Sequence, residues 1–442
     1  MHTPGFVPHT MAHRLPVAAE RVFDVSKLLI EGPSHLEGQI YVHGAKNSTL
    51  PLLAASLLCR TETVLHNCPV LSDVTTAIEI LRRLGSRVTR EGTDLVIDSS
   101  HVCHSDIPDG LMREMRSSIV FLGAIVARMG RADLSFPGGC ELGPRPIDLH
   151  LAALRRMGLS IQEDHGCLKC EVDGVLRGSD IVFSFPSVGA TENVMIAAST
   201  AKGTTTIRNA AREPEICDLA DFLNACGARI QGAGESTIVI EGVSSLSGCE
   251  HRTIPDRIAA ATFLTAAAAT GSTLTVSGIN PNHLQPMLPV FEEAGCALSV
   301  CGTEITLMPP YRLRPVKSVR TMPYPGFPTD AQAPVMAMTT LADGTSVFVE
   351  NIFESRSKHA GELLRLGAKI KVEGRVAVVE GVEHLSAAPV EAPDLRGGAA
   401  LVVAALAAEG KTQISGISHI DRGYEAIEKS LASVGARIMR IE

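Results

Sequence analysis

A helix-like stretch that ends in glycine and runs into a strand recurs six times along the chain, and this repeat limits the fold more than any other feature. The glycines are Gly85, Gly158, Gly227, Gly295, Gly367 and Gly435, spaced by about 70 residues, longer than ordinary solenoid periods. Four residues before each stands Leu81, Leu154, Leu223, Phe291, Leu363 or Leu431, and the residue just before each glycine is also apolar. Positions four and one before the glycine share a helix face, so that face packs. The glycine itself suits the left-handed position that ends a helix. Three residues after it comes Val88, Ile161, Ile230, Leu298, Ile370 or Ile438, the branched aliphatic of a strand. Leading strands such as Gly271-Ser-Thr-Leu-Thr-Val and alternating trailing ones such as Ser236-Thr-Ile-Val-Ile complete a mixed βα module. Six modules predict two domains of three modules each in an α/β (α+β) chain, and 442 residues are too many for a single core.

The chain is 45% hydrophobic but only 4% aromatic, with no Trp, so the core is built from Ala, Val, Ile and Leu. The net charge of −8 and the lack of a Lys/Arg run argue against a nucleic-acid surface. An odd count of 11 scattered cysteines suits a reducing cytoplasm rather than a disulfide framework. Cys167-Leu-Lys-Cys170 lacks further ligands at metal-site spacing and reads as a strand edge. Residues 1–24 mix His, Pro and polar residues without an apolar stretch, and are expected to form a disordered tail. The apolar runs Ile258–Ala269 and Gly398–Ala408 fall short of the roughly 18–20 residues that cross a bilayer, and predict buried helices.

Four segments carry more polarity than packing needs. Gly44-Ala-Lys46-Asn47 precedes an apolar helix predicted over Leu50–Leu58; a Lys and an Asn beside free backbone N–H groups form an anion site. Pro137-Gly-Gly-Cys140 places a thiol in a loop of unrestricted backbone, and Arg145, between two prolines, can fork onto phosphate or carboxylate. Tyr324-Pro-Gly-Phe-Pro328-Thr-Asp330 rigidifies a loop ending in a carboxylate, which is either a helix N-cap or a general base. Arg116, Arg396 and Arg422 stand beside Gly-containing turns in different modules and suggest convergence on a polyanion.

In order along the chain, GAKNSTLPLL, PGGCELGPRPIDLH, PSVGATEN, NAAREPEI, IPDRI, YPGFPTDAQA and HIDRGYE resemble the UDP-N-acetylglucosamine 1-carboxyvinyltransferases, within the EPSP synthase-like enolpyruvyl transferases. The match runs from about Ser26 to the C-terminus. The resemblance implies two domains of three βαβαββ repeats, each an inside-out α/β barrel. Residues 44–254 would form the first, carrying the Cys loop, and 25–43 with 255–442 the second. It implies a cytoplasmic enzyme that transfers the enolpyruvyl group of phosphoenolpyruvate to the 3′-hydroxyl of UDP-N-acetylglucosamine in peptidoglycan synthesis. No cofactor or metal is implied, and no nucleic acid, membrane or protein partner.

By the same resemblance Cys140, Asp330, Lys46 and Arg422 are catalytic. Lys46, Asn47, Arg145 and Arg422 would hold phosphoenolpyruvate. Arg116, Arg145, Pro146, Ile147, Asp148, Leu149, Ser187, Val188, Gly189, Asp330 and Ile352 would hold the UDP-sugar, with Arg396 and Glu213 in support. Cys140 would donate a proton to C3 of phosphoenolpyruvate, and Asp330 would accept the sugar hydroxyl proton. Two departures stand out: Phe185-Pro186 replaces a Lys found in some members, and Phe353 is followed by Glu-Ser-Arg356-Ser where many read Glu-Asn-Arg-Phe. A sister enzyme acting on shikimate 3-phosphate typically opens with a GSKSxSNR-like motif and lacks the PGGC loop. A silent UDP-sugar-binding paralogue would not be expected to keep Lys46, Cys140, Arg145, Asp330, Arg396 and Arg422 together.

Overall fold

A computed structural model of the protein describes residues 26–138 and 147–442. The predicted tail, together with Cys140, Arg145 and Pro146, lies outside the described residues. The six repeat glycines all adopt positive φ, from 91° at Gly295 to 109° at Gly85. Each ends a helix and releases a strand, as Gly85 does between Ser72–Leu84 and Arg87–Glu91. A Cβ there would strain the backbone, which is why this position repeats as glycine.

Every module builds one four-stranded sheet, six in all among the described residues. In each sheet a short strand pairs in parallel with a second, and the second pairs antiparallel with a third, which pairs antiparallel with a fourth. The sheet of Asp180–Val182, Thr204–Arg208, Thr237–Glu241 and Arg229–Gln231 is one example. Two sheets borrow strands from the N-terminal segment. Lys27–Gly32 lies between Gly410–Ser415 and Arg437–Ile441, and Gly38–Tyr41 pairs in parallel with Leu274–Ser277. Glu250–Arg252 returns to pair with Thr63–His66.

The sheets face outward and the apolar helices lie inside. Lys46–Ser56, Phe121–Met129 and Val188–Ala198 pack in one core, whose buried residues run from Leu50 to Leu246. Arg257–Ala269, Thr329–Thr339 and Leu395–Ala407 pack in a second, shared with Leu28, Ile30, Leu36, Ile40 and Val42. All thirteen residues of Arg257–Ala269 are buried. A helix enclosed on every side cannot be amphipathic, and small residues let three such helices meet closely. This explains the scarcity of aromatics. The first apolar helix begins at Lys46, four residues before the expected start at Leu50, although Pro51 lies inside it. Pro51 is the sixth residue of that helix, so the N–H it lacks is one that would otherwise bond the Asn47 carbonyl.

The chain passes between the cores along two adjacent segments. Ala45 donates to the Ile254 carbonyl at 2.7 Å, and Asp256 donates to that of His43 at 3.0 Å. Gly44 is needed here because a Cβ would lie 1.7 Å from the Asn67 carbonyl oxygen. Among the described residues no helix is long and apolar enough to cross a membrane.

Candidate active site

The six inner helices begin at one place. Lys46, Asn47, Arg116, Ser187–Gly189, Arg257, Thr329–Asp330 and Leu395–Arg396 all line a single cleft of about 1040 Å³ between the two cores. Arg116 opens the short 3-10 helix that leads into Phe121–Met129. Helix N-termini carry partial positive charge and free N–H groups, so their convergence with the six Lys and Arg side chains of the cleft suits a polyanion. Asn47, Ile147, Asp148, Leu149, Glu213, Ile352 and Arg422 line the same cleft. The structure thus brings together every sequence-predicted site residue that it describes. Arg116 from one module and Arg396 and Arg422 from another meet there as expected.

Asp330 lies in the first turn of Thr329–Thr339, whose N-cap is Pro328, so capping does not explain it. Its carboxylate is gripped by two guanidiniums: Arg356 Nη2 donates to Oδ1 at 3.0 Å and Arg396 Nη2 to Oδ2 at 3.1 Å. Both arginines are nearly inaccessible, whereas the Asp330 side chain keeps 27% of its surface exposed. A carboxylate fixed from behind and open in front can accept a proton from a bound group. Arg396 also lies 5.3 Å from the Tyr424 ring centre. Replacing Phe with Ser357 has not displaced Arg356, which remains buried on Asp330 and stands 5.7 Å from the Phe353 ring centre. Phe185 is 41% exposed on the cleft wall, so its ring presents an apolar surface there.

Lys46 and Arg422 come from opposite sides and meet on a residue that sequence reasoning missed. Lys46 Nζ lies 3.1 Å from Asp73 Oδ2, and Arg422 Nε lies 2.9 Å from Asp73 Oδ1. Asp73 is 4% exposed. Burial alone pushes its carboxyl up, but Lys46 and then Arg422 outweigh that and hold it below the usual carboxylate range. An anionic substrate must compete with Asp73 for both cations. Locally, Asp73 reads only as an acid in a helix's first turn; its partners lie 27 and 349 residues away.

A second group is acidic, and of it only Glu213 was anticipated from the sequence. Glu192, Glu213 and Glu215 line the cleft beside Arg257. Arg257 Nε lies 3.0 Å from Glu215 Oε1, and both residues are buried. Glu213 accepts from the Tyr324 backbone N–H at 3.2 Å, tying the Tyr-Pro-Gly-Phe-Pro loop to the opposite wall. Burial, with added repulsion from Glu215 and Glu213, raises the Glu192 carboxyl to about 8. From about pH 4.5 to 8 the unfolded chain loses this proton while the fold retains it, so stability falls as pH rises through that window. Glu192→Gln is expected to flatten that slope, as read by urea unfolding between about pH 5 and 8. His150 lines the same cleft; burial, helped by Arg116, lowers it to about 4 and leaves its ring neutral.

Known proteins share this architecture. The EPSP synthase (3-phosphoshikimate 1-carboxyvinyltransferase) family model matches residues 30–431. A UDP-N-acetylglucosamine 1-carboxyvinyltransferase of Caldanaerobacter subterraneus is 52% identical over 94% of this chain and 100% of its own. One from Symbiobacterium thermophilum is 50% identical over 94% and 95%. The enolpyruvyl transferase NikO from Streptomyces tendae superposes with a TM-score of 0.85 at 26% identity, covering 94% of this chain and 98% of NikO. EPSP synthase from Acinetobacter baumannii shares the fold, with a TM-score of 0.72 at 16% identity over 94% of this chain and all of its own. With the repeats, the cleft and these likenesses in agreement, the chain belongs to the EPSP synthase family and, within it, to the UDP-N-acetylglucosamine 1-carboxyvinyltransferases.

Proposed function

We propose that the protein transfers the enolpyruvyl group of phosphoenolpyruvate to the 3′-hydroxyl of UDP-N-acetylglucosamine, releasing phosphate, as the first committed step of peptidoglycan synthesis in the cytoplasm. The observation that carries this reading is the meeting of helix N-termini, cations and one front-open carboxylate in a single cleft. Two anionic substrates need the former, and a hydroxyl nucleophile needs the latter. Relatives half identical along nearly their whole length support the choice of acceptor.

In this reading Lys46, Asn47, Arg145 and Arg422 hold phosphoenolpyruvate. Ser187–Gly189 offer a capped helix start to the diphosphate, with Arg116, Arg145, Pro146, Ile147–Leu149 and Ile352 around the nucleotide. Ser187 already accepts from the Ala190 N–H at 3.4 Å, which fixes that turn. Cys140 delivers a proton to C3 as the sugar oxygen adds to C2, and Asp330 takes the hydroxyl proton. Loss of a C3 proton and of phosphate from the tetrahedral adduct then yields the enol ether. Charge stabilisation and positioning supply most of the acceleration. The units proposed are residues 44–254 and residues 25–43 with 255–442, closing over the substrates to exclude water. Small molecules are the only partners this chemistry needs.

The test is to incubate the protein with both substrates and follow the acceptor by proton NMR. Vinyl signals on a UDP-sugar product support the reading, and an unchanged acceptor sinks it. Cys140 is expected to be alkylated by a phosphonate epoxide with loss of activity. Full activity of folded protein after such treatment would remove Cys140 as the acid.

A further inference from the structure

Three cysteines far apart in sequence meet outside the cleft. Cys59 follows the helix Lys46–Ser56, Cys226 caps the helix Pro214–Ala225, and Cys249 precedes the strand Glu250–Arg252. Cys226 Sγ lies 3.4 Å from Cys249 Sγ and 3.6 Å from Cys59 Sγ. Cys59 and Cys226 are buried, while Cys249 reaches the surface in part. No trio of His, Cys, Asp or Glu among the described residues is arranged to hold a metal ion, so thiol chemistry is what this cluster offers.

We propose that Cys249 and Cys226 form a peroxide-sensitive modification site, with Cys249 as the attacked sulfur and Cys226 as the thiol that resolves it. The three sulfurs are unequal. Cys226 stands in the middle, donating to Cys249 and accepting from Cys59, and its bond to Cys249 together with burial pushes its thiol up. The bond from Cys226, aided by the nearby charge of His251, lowers Cys249 to about 7. His251 is itself held toward its protonated form by Asp218, 2.8 Å from its Nε2. A partly exposed thiolate next to a second thiol is the arrangement that oxidises readily and reversibly.

The chemistry balances with hydrogen peroxide as oxidant. The Cys249 thiolate attacks one peroxide oxygen; the S–O bond forms, the O–O bond breaks, and hydroxide leaves to be protonated to water. Cys226 sulfur then attacks Cys249 sulfur, the S–S bond forms and the S–O bond breaks. The Cys226 proton departs with the hydroxyl as a second water. Two thiols are oxidised by two electrons, and the peroxide is reduced to water. From 3.4 Å the sulfurs must close to about 2.05 Å, a short movement for the more exposed residue. The site communicates with the cleft. His251 binds Asp218, which accepts from Ser48 Oγ, two residues from Lys46. Its strand Glu250–Arg252 leads to Asp256 and Arg257.

The experiment treats the full-length protein with hydrogen peroxide, alkylates the remaining thiols in denaturant and maps peptides without reduction. A peptide pair joined through Cys226 and Cys249, and released by dithiothreitol, is the expected result. Recovery of both as alkylated thiols, at a dose that oxidises the exposed Cys103 and Cys301, would overturn the proposal. So would a Cys59–Cys226 bond, or Cys249 oxidised to sulfinic acid with Cys226 still alkylated. In Cys226→Ala, Cys249 is expected to be trapped by dimedone as sulfenic acid, and absence of that adduct contradicts Cys249 as the attacked sulfur. If this variant does not fold, the map of the unmodified sequence decides alone.

Discussion

Asp330→Asn is expected to lower kcat by about a hundred- to ten-thousandfold, the range that a general base contributes. The substitution keeps the shape of the side chain and removes its charge. It also places an amide NH2 against one of two buried guanidiniums that now face carboxylate oxygens at 3.0 and 3.1 Å. Losing a hydrogen bond to a charged group costs about 1.5–3 kcal/mol, so a lower Tm should accompany the loss of turnover. The two effects separate by measurement. Chemistry is read as kcat at a temperature where the circular dichroism of the variant matches that of the parent, and stability is read as Tm. A normal kcat in a folded, destabilised variant would reduce Asp330 to a structural anchor for Arg356 and Arg396. A Tm unchanged with kcat lost would mean that the grip of the arginines adds little to stability.

Lys46→Met is expected to raise the KM for phosphoenolpyruvate about ten- to a hundredfold, the equivalent of one lost charged hydrogen bond. Met keeps the apolar stem, so packing around this 8% exposed residue changes little and the charge is isolated. The Kd for UDP-N-acetylglucosamine should stay near its parent value, because the nucleotide contacts proposed here lie on other helix starts. Asp73 retains Arg422 at 2.9 Å, so the buried carboxylate is not left without a counter-charge and the fold should survive. An unchanged KM for phosphoenolpyruvate would place the anion elsewhere in the cleft. A parallel loss of affinity for both substrates would point instead to a general disturbance of the Asp73 pairings.

Much of this was legible along the sequence because it is encoded locally. The repeat glycines combine a fixed backbone requirement with apolar residues at fixed offsets, and uniform apolar runs such as Ile258–Ala269 can only be enclosed helices. The polar motifs GAKN and YPGFPTD also announced themselves, since nothing in packing asks for them. What stayed hidden depends on partners distant in sequence. Asp73 looks like an ordinary first-turn acid until Arg422 arrives from 349 residues away. Arg257 and Glu215 each resemble a surface charge, yet they form a buried ion pair across the cleft. Arg356 was noticed as a retained residue, but its grip on Asp330 needed the fold. The helix start at Lys46 was set too late because its first turn, Lys46-Asn-Ser-Thr, is polar and the apolar run begins only at Leu50.

The account rests most heavily on the acceptor, and one measurement tests it directly: phosphate release from phosphoenolpyruvate, with UDP-N-acetylglucosamine or shikimate 3-phosphate supplied in turn. The prediction is release that requires the UDP-sugar and does not occur with shikimate 3-phosphate. Release only with shikimate 3-phosphate, or with neither, would contradict it.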